Sequence, residues 1–233
     1  MKNKYNAEIF KKAFMQTVLY KKIIKNFPPD KYTTYYWTEV NSDQIITTPR
    51  ELALTREIYL QSFYYLKFLL DKNPKHIYDI GCGSNFFKMF IPQIIGISPE
   101  PKDNDADIND FYDDDFVKGH QNYFESAFSI NALHFRPISE FKKLVLDFMS
   151  IIRTGGFGYL ALNVKMFMEN TEDEERCRLF DTIKPSNQEL TSCFEKLIEE
   201  IGIEKFKIID LTINDEYQSK MNGNIHLLFE KDV

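Results

Sequence analysis

A short apolar strand that ends in a carboxylate and opens into a glycine turn constrains this chain more than any other segment. It reads Ile77-Tyr78-Asp79-Ile80-Gly81-Cys82-Gly83-Ser84-Asn85. Glycine has no Cβ and adopts positive φ at little cost, so a Gly-x-Gly turn lets the backbone come close to a ligand. The segment therefore predicts a strand-to-helix turn that binds a ligand, and the alternative is a tight turn without one.

Strands and helices alternate after this turn, which predicts an α/β fold: a doubly wound, Rossmann-like, mostly parallel sheet with a C-terminal antiparallel hairpin. The predicted strands are near-continuous apolar runs, as in parallel sheets covered on both faces. The further strands are predicted at 93–98, 124–130, 157–164, 206–213 and 224–230, and the helices at 86–91, 137–153 and from Ser186 to near Gly202.

The first 72 residues predict a helical extension or lid, packed on an α/β domain at residues 73–233. Apolar residues recur at helical spacing through 6–26, and Pro28-Pro29 ends the pattern. Residues 32–47 hold several aromatics without periodicity, which predicts an irregular link or lid; packing of the N-terminal helices is the alternative role for these aromatics. Thr48-Pro49-Arg50-Glu51 is typical of a helix start and predicts a helix to about Lys72.

The composition indicates one compact protein with one core, since 43% of the 233 residues are hydrophobic. No apolar run reaches the ~20 residues that span a bilayer, and residues 1–14 lack a signal-peptide core, so we expect a cytoplasmic protein with no membrane partner. The three cysteines lack paired spacing, which predicts neither a disulfide scaffold nor a zinc site. Eight lysines in residues 1–31 form either a solvated helix face or a nucleic-acid contact, within a chain of net charge −6.

The segment Asp79-Ile80-Gly81-Cys82-Gly83 resembles motif I of the class I S-adenosylmethionine-dependent methyltransferases, Asp/Glu-x-Gly-x-Gly-x-Gly, with Asn85 at the third glycine. Residues 125–134 resemble the family's fourth strand and the loop after it. Arg153-Thr154-Gly155-Gly156-Phe157 resembles the turn before its fifth strand. The resemblance covers about residues 75–231 and implies S-adenosylmethionine as cofactor, with S-adenosylhomocysteine as product.

The resemblance also implies which residues contact the cofactor. The motif I residues hold its amino-acid end, the pair after the third strand contacts adenine, and the loop after the fourth strand lines the sulfonium. The residues that match these positions, together with the last residue of the second strand, are Asp79, Gly81, Cys82, Gly83, Ser98, Asp107, Ile108 and Asn131. An ordinary Asx turn is the alternative role for Asn131.

Two features depart from the family pattern. Ser98 stands where the family has an acidic residue for both ribose hydroxyls, and a serine offers one acceptor oxygen and no charge. Glu100 and Asp103 are alternatives for that contact. About 25 residues separate the second strand from Phe124 without an amphipathic pattern, so the helix after strand two is predicted to be missing.

An acidic stretch at 103–115 fills that interval. Its alternating aspartates echo an EF-hand loop, but the loop glycine and the closing glutamate are absent, so no metal site is predicted. A plain solvated loop is the alternative to the adenine contact at Asp107 and Ile108.

Two classes of function remain open. The first is a methyltransferase, with a small-molecule acceptor favoured because the chain lacks an Asn-Pro-Pro-Tyr motif and a Pro-Cys nucleophile and has an acidic body; RNA or protein acceptors are not excluded. The second is a non-catalytic protein that keeps the fold to bind a protein partner, favoured by Asn85, Ser98 and the short crossover. A binding protein for the cofactor or a nucleoside lies between them.

His134 is a candidate general base, with a structural role as the alternative.

Overall fold

A computed structural model describes residues 14–26, 35–41, 44–50, 52–83, 85–99, 106–133, 140–163, 196, 206–214 and 224–232. The chain divides into two compact units, one within Asn6–Phe68 and the other within Leu69–Val233. The role of residues 1–72 as a lid on the α/β domain stays a prediction.

The first unit holds two helices and a hairpin. The helices are α1 (Val18–Asn26) and α2 (Leu52–Asp71), and the strands are β1 (Tyr35–Asn41) and β2 (Gln44–Arg50), which pair antiparallel. The described part of residues 32–47 is thus a hairpin, and the prediction of an irregular link was wrong. Aromatic and β-branched residues favour strands there, and a proline is tolerated because both strands of a two-stranded sheet are edges.

The described parts of the two N-terminal helices differ from the prediction in different ways. Thr48 and Pro49 belong to β2, so α2 begins at Leu52 and not at the predicted capping box. Within the predicted helix 6–26, the described residues contain a break at Gln16–Thr17. The Thr17 hydroxyl accepts the Tyr20 N–H at 3.0 Å, so it caps a new helix, α1.

The second unit is built on a seven-stranded sheet. Its strands are β3 (Ile77–Ile80), β4 (Ile94–Ser98), β5 (Ile108–Asn109), β6 (Phe124–Ile130), β7 (Ile152–Asn163), β8 (Phe206–Asn214) and β9 (Asn224–Lys231). The order is β5-β4-β3-β6-β7-β9-β8; the first five strands are parallel, and β9 pairs antiparallel with both β7 and β8. This confirms the predicted doubly wound sheet with its C-terminal antiparallel hairpin.

Three described helical segments accompany the sheet: a 3₁₀ turn (Phe86–Met89), α3 (Asp114–Gly119) and α4 (Phe141–Ile151). The sequence did not predict α3, because six residues are too few to show a periodic pattern. Asp113 caps α3 by accepting the Phe116 N–H at 2.9 Å, so part of the acidic stretch is a helix N-terminus. The helix predicted from Ser186 lies outside the described residues apart from Lys196.

The predicted turn at 154–156 lies inside a longer strand. β7 begins at Ile152, and its pairing with β6 shifts from Phe124↔Ile152 to Ser126↔Phe157. Residues 153–156 therefore bulge out of the ladder, and Gly155 takes the left-handed conformation that the bulge requires, with φ 71°.

One apolar cluster of this unit joins helices α3 and α4 to the sheet, and strand residues that alternate with its members, such as Phe128, Tyr159 and Leu228, are buried as well. Helix α4 places Leu144, Val145 and Phe148 against inward-facing strand residues, with α3 contributing Phe116 and Val117. The strand residues that complete this layer include Ile80, Ile97, Ala127, Leu160, Leu162, Ile225, Leu227 and Phe229. Among the described residues, no helix has the length and apolar character needed to cross a membrane.

Lys231 joins the last strand to the end of α4 by hydrogen bonds. Its ammonium donates to the backbone oxygens of Ser150 at 3.0 Å and Ile152 at 2.8 Å, where a helix leaves carbonyls unpaired. We expect Lys231→Met to lower the free energy of unfolding by about 1 kcal/mol, or roughly 2–4 °C in Tm. Lys207→Met removes an exposed ammonium 3.7 Å from Glu230 and is the matched control. Equal Tm values for the two variants would show that the cap contributes nothing.

Candidate functional site

The strand order reverses between β3 and β6. From β3 the chain continues outward to β4 and β5, whereas β6 and β7 extend the sheet in the other direction. In doubly wound sheets, ligands bind in the crevice at the carboxyl ends of the strands at such a point. Gly81 follows β3 and Asn131 follows β6, so both predicted site segments lie at this crevice.

The glycine turn after β3 approaches both neighbouring strands closely. Its first two amides, from Gly81 and Cys82, donate to the backbone oxygen of Ile97 in β4 at 2.7 and 3.2 Å. On the other side, a Cβ at Gly81 would lie 2.4 Å from the Cβ of Ala132, in the loop after β6. Gly81 has φ 78° as well, so both space and backbone conformation require glycine there.

Gly83 has a different environment. Its φ is 50°, but a Cβ at this position would meet no described atom within 4 Å. The second glycine of the turn thus faces open space, which is what close approach of a ligand to the backbone needs.

Asp79 is a buried carboxylate on β3, with 3% of its surface exposed. Within the described part of the chain, no group hydrogen-bonds or ion-pairs with it, and burial alone raises the pKa of Asp79 well above its usual range. Burying a carboxylate without a partner is costly. A cationic group from a ligand would offset that cost, since an opposite charge favours the ionised form.

Asn85 fits the turn because Gly96 of β4 leaves room for its side chain. It adopts the left-handed conformation, with φ 52° and ψ 39°, which asparagine tolerates better than most residues. Its side chain lies where Gly96 of β4 has no Cβ: a Cβ there would be 2.6 Å from the Asn85 amide nitrogen. The glycine that close packing of turn and strand requires is therefore on the strand.

Asp107 lies just before β5 and is hydrogen-bonded to the turn and to β4. Its Oδ2 accepts the Gly96 N–H at 2.8 Å and the Asn85 side-chain amide at 3.1 Å, and its Oδ1 pairs with the Lys88 ammonium. Partial burial opposes ionisation, but the hydrogen bonds from these three donors lower the pKa of Asp107 below its usual value.

The remaining predicted contacts lie at the same edge of the sheet. Ser98 ends β4 and is 8% exposed, its backbone oxygen accepting the Asp110 N–H at 3.3 Å. Ile108 begins the two-residue strand β5 and is 42% exposed. Glu100 and Asp103 lie outside the described residues. Burial first, and then the carboxylates of Asp79 and Asp107, raise the pKa of the Cys82 thiol to about 12, which favours the protonated form at neutral pH.

Asn131 follows β6 in the left-handed conformation, with φ 52°, and its N–H donates to Ala161 at 2.9 Å. Its side-chain oxygen is buried and has no hydrogen-bond partner among the described residues. Such an acceptor at the mouth of the crevice suits a ligand donor. His134 lies outside the described residues.

Sequence reasoning missed Gly96, Lys88 and Ala132. Gly96 did carry a signal, because an isolated glycine inside an apolar strand indicates close backbone approach. Lys88 and Ala132 carried none, since their contacts depend on how the loops meet. The described residues contain no cluster of three or more potential metal ligands.

The sequence matches no protein-family model and no curated protein. Solved structures similar to this chain include a SAM-dependent methyltransferase from Archaeoglobus fulgidus, with 13% identity, TM-score 0.47, and coverage of 76% of this chain and 94% of the other. Another is described as a putative S-adenosylmethionine-dependent methyltransferase from Listeria monocytogenes, with 12% identity, TM-score 0.46, and coverage of 73% and 97%. At these values the strand order, and not the matches, carries the fold assignment.

The two glycines of the turn make a matched pair of substitutions. Gly81→Ala forces its Cβ into the loop after β6, so we expect a loss of about 2–3 kcal/mol in the free energy of unfolding. Gly83→Ala meets no atom and carries only the left-handed backbone penalty, about 1 kcal/mol. Urea unfolding of both variants checks this difference. Equal losses would contradict the close approach of Gly81 to Ala132.

We expect Asp79→Asn to raise the Tm of the ligand-free protein by roughly 2–4 °C at neutral pH. The folded pKa of Asp79 is raised, so the folded state holds the proton more tightly than the unfolded state. The contribution of Asp79 to the free energy of unfolding is therefore at its maximum below pH ~4, and it falls as pH rises through the pKa of Asp79 in the folded state. The Tm difference between variant and wild type should appear over that range and vanish near pH 4. A constant difference from pH 4 to 8 would contradict it.

Proposed function

We propose that this chain is an S-adenosylmethionine-dependent methyltransferase that acts on an unidentified acceptor, with a small molecule favoured. The observation that carries the proposal is the Asp79 carboxylate, buried and without a described partner at the strand-order reversal. A bare scaffold would gain stability by replacing such a group, whereas a site for a cationic ligand needs it.

The residues present fit the amino-acid end of the cofactor. Asp79 accepts from its ammonium group, the turn at Gly81 and Gly83 allows close approach of the backbone, and Asn131 offers a buried acceptor across the crevice. The bound cofactor supplies an electrophilic methyl group. This chain positions the cofactor and excludes water, work that needs few obligatory side chains.

The ribose end fits less well. Ser98 stands at the end of β4 where a carboxylate would bind both hydroxyls, and its neutral oxygen makes a weaker contact. We therefore infer that the amino-acid end contributes most of the polar recognition. Glu100 and Asp103 follow Ser98 closely in sequence and are the candidates to complete the ribose contact.

A small acceptor is favoured by charge. Phosphate backbones attract basic surfaces, and this chain is acidic overall, with a net charge of −6 and a local excess of lysine in residues 1–31, which hold eight of its 23 lysines. An RNA acceptor would have to rely on that N-terminal segment. RNA and protein acceptors remain alternatives within the same activity.

Titration calorimetry with S-adenosylhomocysteine tests the proposal. We expect binding that Asp79→Asn weakens about 10- to 100-fold, because a charged hydrogen bond to the ligand ammonium is lost. Below the pKa of ligand-free Asp79, binding should also release a proton, since the ammonium lowers the pKa that burial has raised. The affinity should therefore increase with pH up to the pKa of ligand-free Asp79. Buffers of different ionisation enthalpy measure the proton directly.

The rival function predicts another result. A non-catalytic protein that keeps the fold to bind a protein partner would give no heat with S-adenosylhomocysteine at millimolar concentration, for wild type and variant alike. Binding without methyl transfer to any acceptor in a screen would favour a cofactor-binding protein.

A further inference from the structure

We propose that Asp107 is a positioning residue that holds the glycine turn through Asn85 and does not read the adenine amino group. This inference rests on the proposed function for its ligand and on the described contacts for its geometry. The resemblance to methyltransferases implied the opposite role, in which the carboxylate accepts from the base.

The contacts of Asp107 all run toward the turn and β4. Its carboxylate accepts from the Gly96 N–H at 2.8 Å, from the Asn85 amide at 3.1 Å and from the Lys88 ammonium, and its own N–H donates to the Gly96 backbone oxygen at 2.9 Å. Three of the roughly four acceptor positions of the carboxylate are thus occupied by protein donors, one of them charged. A hydrogen bond accepted from the adenine amino group would have to compete with these donors.

Asn85 is the residue through which Asp107 reaches the turn. Asparagine tolerates the left-handed conformation, here with φ 52°, and Asn73, Asn122 and Asn131 adopt it as well. The side-chain amide of Asn85 donates to Asp107 at 3.1 Å, which fixes its position. Asp107 fixes the Asn85 side chain over Gly96, and Lys88, one turn further on, fixes Asp107.

The tether that Asp107 and Asn85 form reaches the binding site through one further contact. The Asn85 N–H donates to the Cys82 backbone oxygen at 2.9 Å, and Cys82 lies between the two glycines of the turn. Displacement of Asn85 therefore moves the backbone beside Gly81 and Gly83, where the amino-acid end of the ligand is proposed to lie. Asp107 therefore affects the binding of the amino-acid end of the ligand, although the resemblance to methyltransferases places it near the base.

The first test compares two ligands. S-adenosylhomocysteine and its inosine analogue, in which a carbonyl replaces the 6-amino group, are titrated into wild type, Asp107→Ala and Asp107→Asn. We expect Asp107→Ala to weaken both ligands by the same factor, about tenfold. Titrations run well below the Tm of each variant, where global stability does not change the dissociation constant. A loss confined to the adenine ligand would overturn the proposal.

The second test needs no ligand. Hydrogen exchange at the Asn85 and Cys82 amides, followed by NMR, reports the turn directly, and neither amide bonds to Asp107. We expect exchange at least tenfold faster in Asp107→Ala than in wild type. Asp110→Ala is the matched control, because within the part of the chain that the structure describes this exposed aspartate accepts only the Phe111 N–H, at 2.8 Å. Unchanged exchange in Asp107→Ala, or an equal change in the control, would overturn the proposal.

The two tests separate the proposals. If wild type binds neither ligand, the methyltransferase function fails and hydrogen exchange alone decides the role of Asp107. If Asp107→Ala does not fold, Asp107→Asn keeps an acceptor oxygen for Gly96 but loses the charge that pairs with Lys88. It should then show a smaller change in the same direction in both measurements, and no change would count against the tether.

Discussion

The close approach of one turn to two strands fixes the central part of this sheet. The turn after β3 donates two amides to Ile97 on β4 and touches Ala132 after β6 on its other side. Only a residue without a side chain permits both contacts, and Gly81 provides it. The strand order reverses at this place, so the constraint that packs the sheet also shapes the crevice where doubly wound folds bind ligands.

The packing of Asn85 against Gly96 shows how this turn accommodates a side chain while staying close to β4. What packing requires is one missing Cβ between the turn and β4, and either partner can supply it. Here Gly96 supplies it, and Asn85 fills the space with an amide that finds a carboxylate. Asn85, which on sequence counts toward a degenerate scaffold, is thus compatible with an intact site. Ser98 has no such compensation among the described residues.

The elements that have a clear local sequence pattern could be predicted from the sequence. Apolar runs predicted β3, β4, β6 and the C-terminal hairpin, because strands buried in a sheet consist mostly of apolar residues. The Gly-x-Gly turn predicted the crevice, because positive φ favours glycine. Sequence reasoning missed the hairpin of β1 and β2 and the helix α3, whose signals are short or mixed. It also missed the tether from Asp107 to the turn. That contact joins residues from separate segments, and the local sequence of one segment does not determine the position of the other.

Two aspartates of the site differ in how their charge is stabilised. Asp107, which is partly exposed, has three donors and a lowered pKa, so its charge is stabilised within the protein. Asp79 has no described partner and a raised pKa, so its charge is stabilised only when another group arrives. A fold kept solely for its shape has no reason to retain the second arrangement, which makes the folded state less stable at neutral pH. The cost at Asp79 is therefore best understood as the counterpart of a cation that the described residues do not supply, and it favours a ligand-binding site over a bare scaffold.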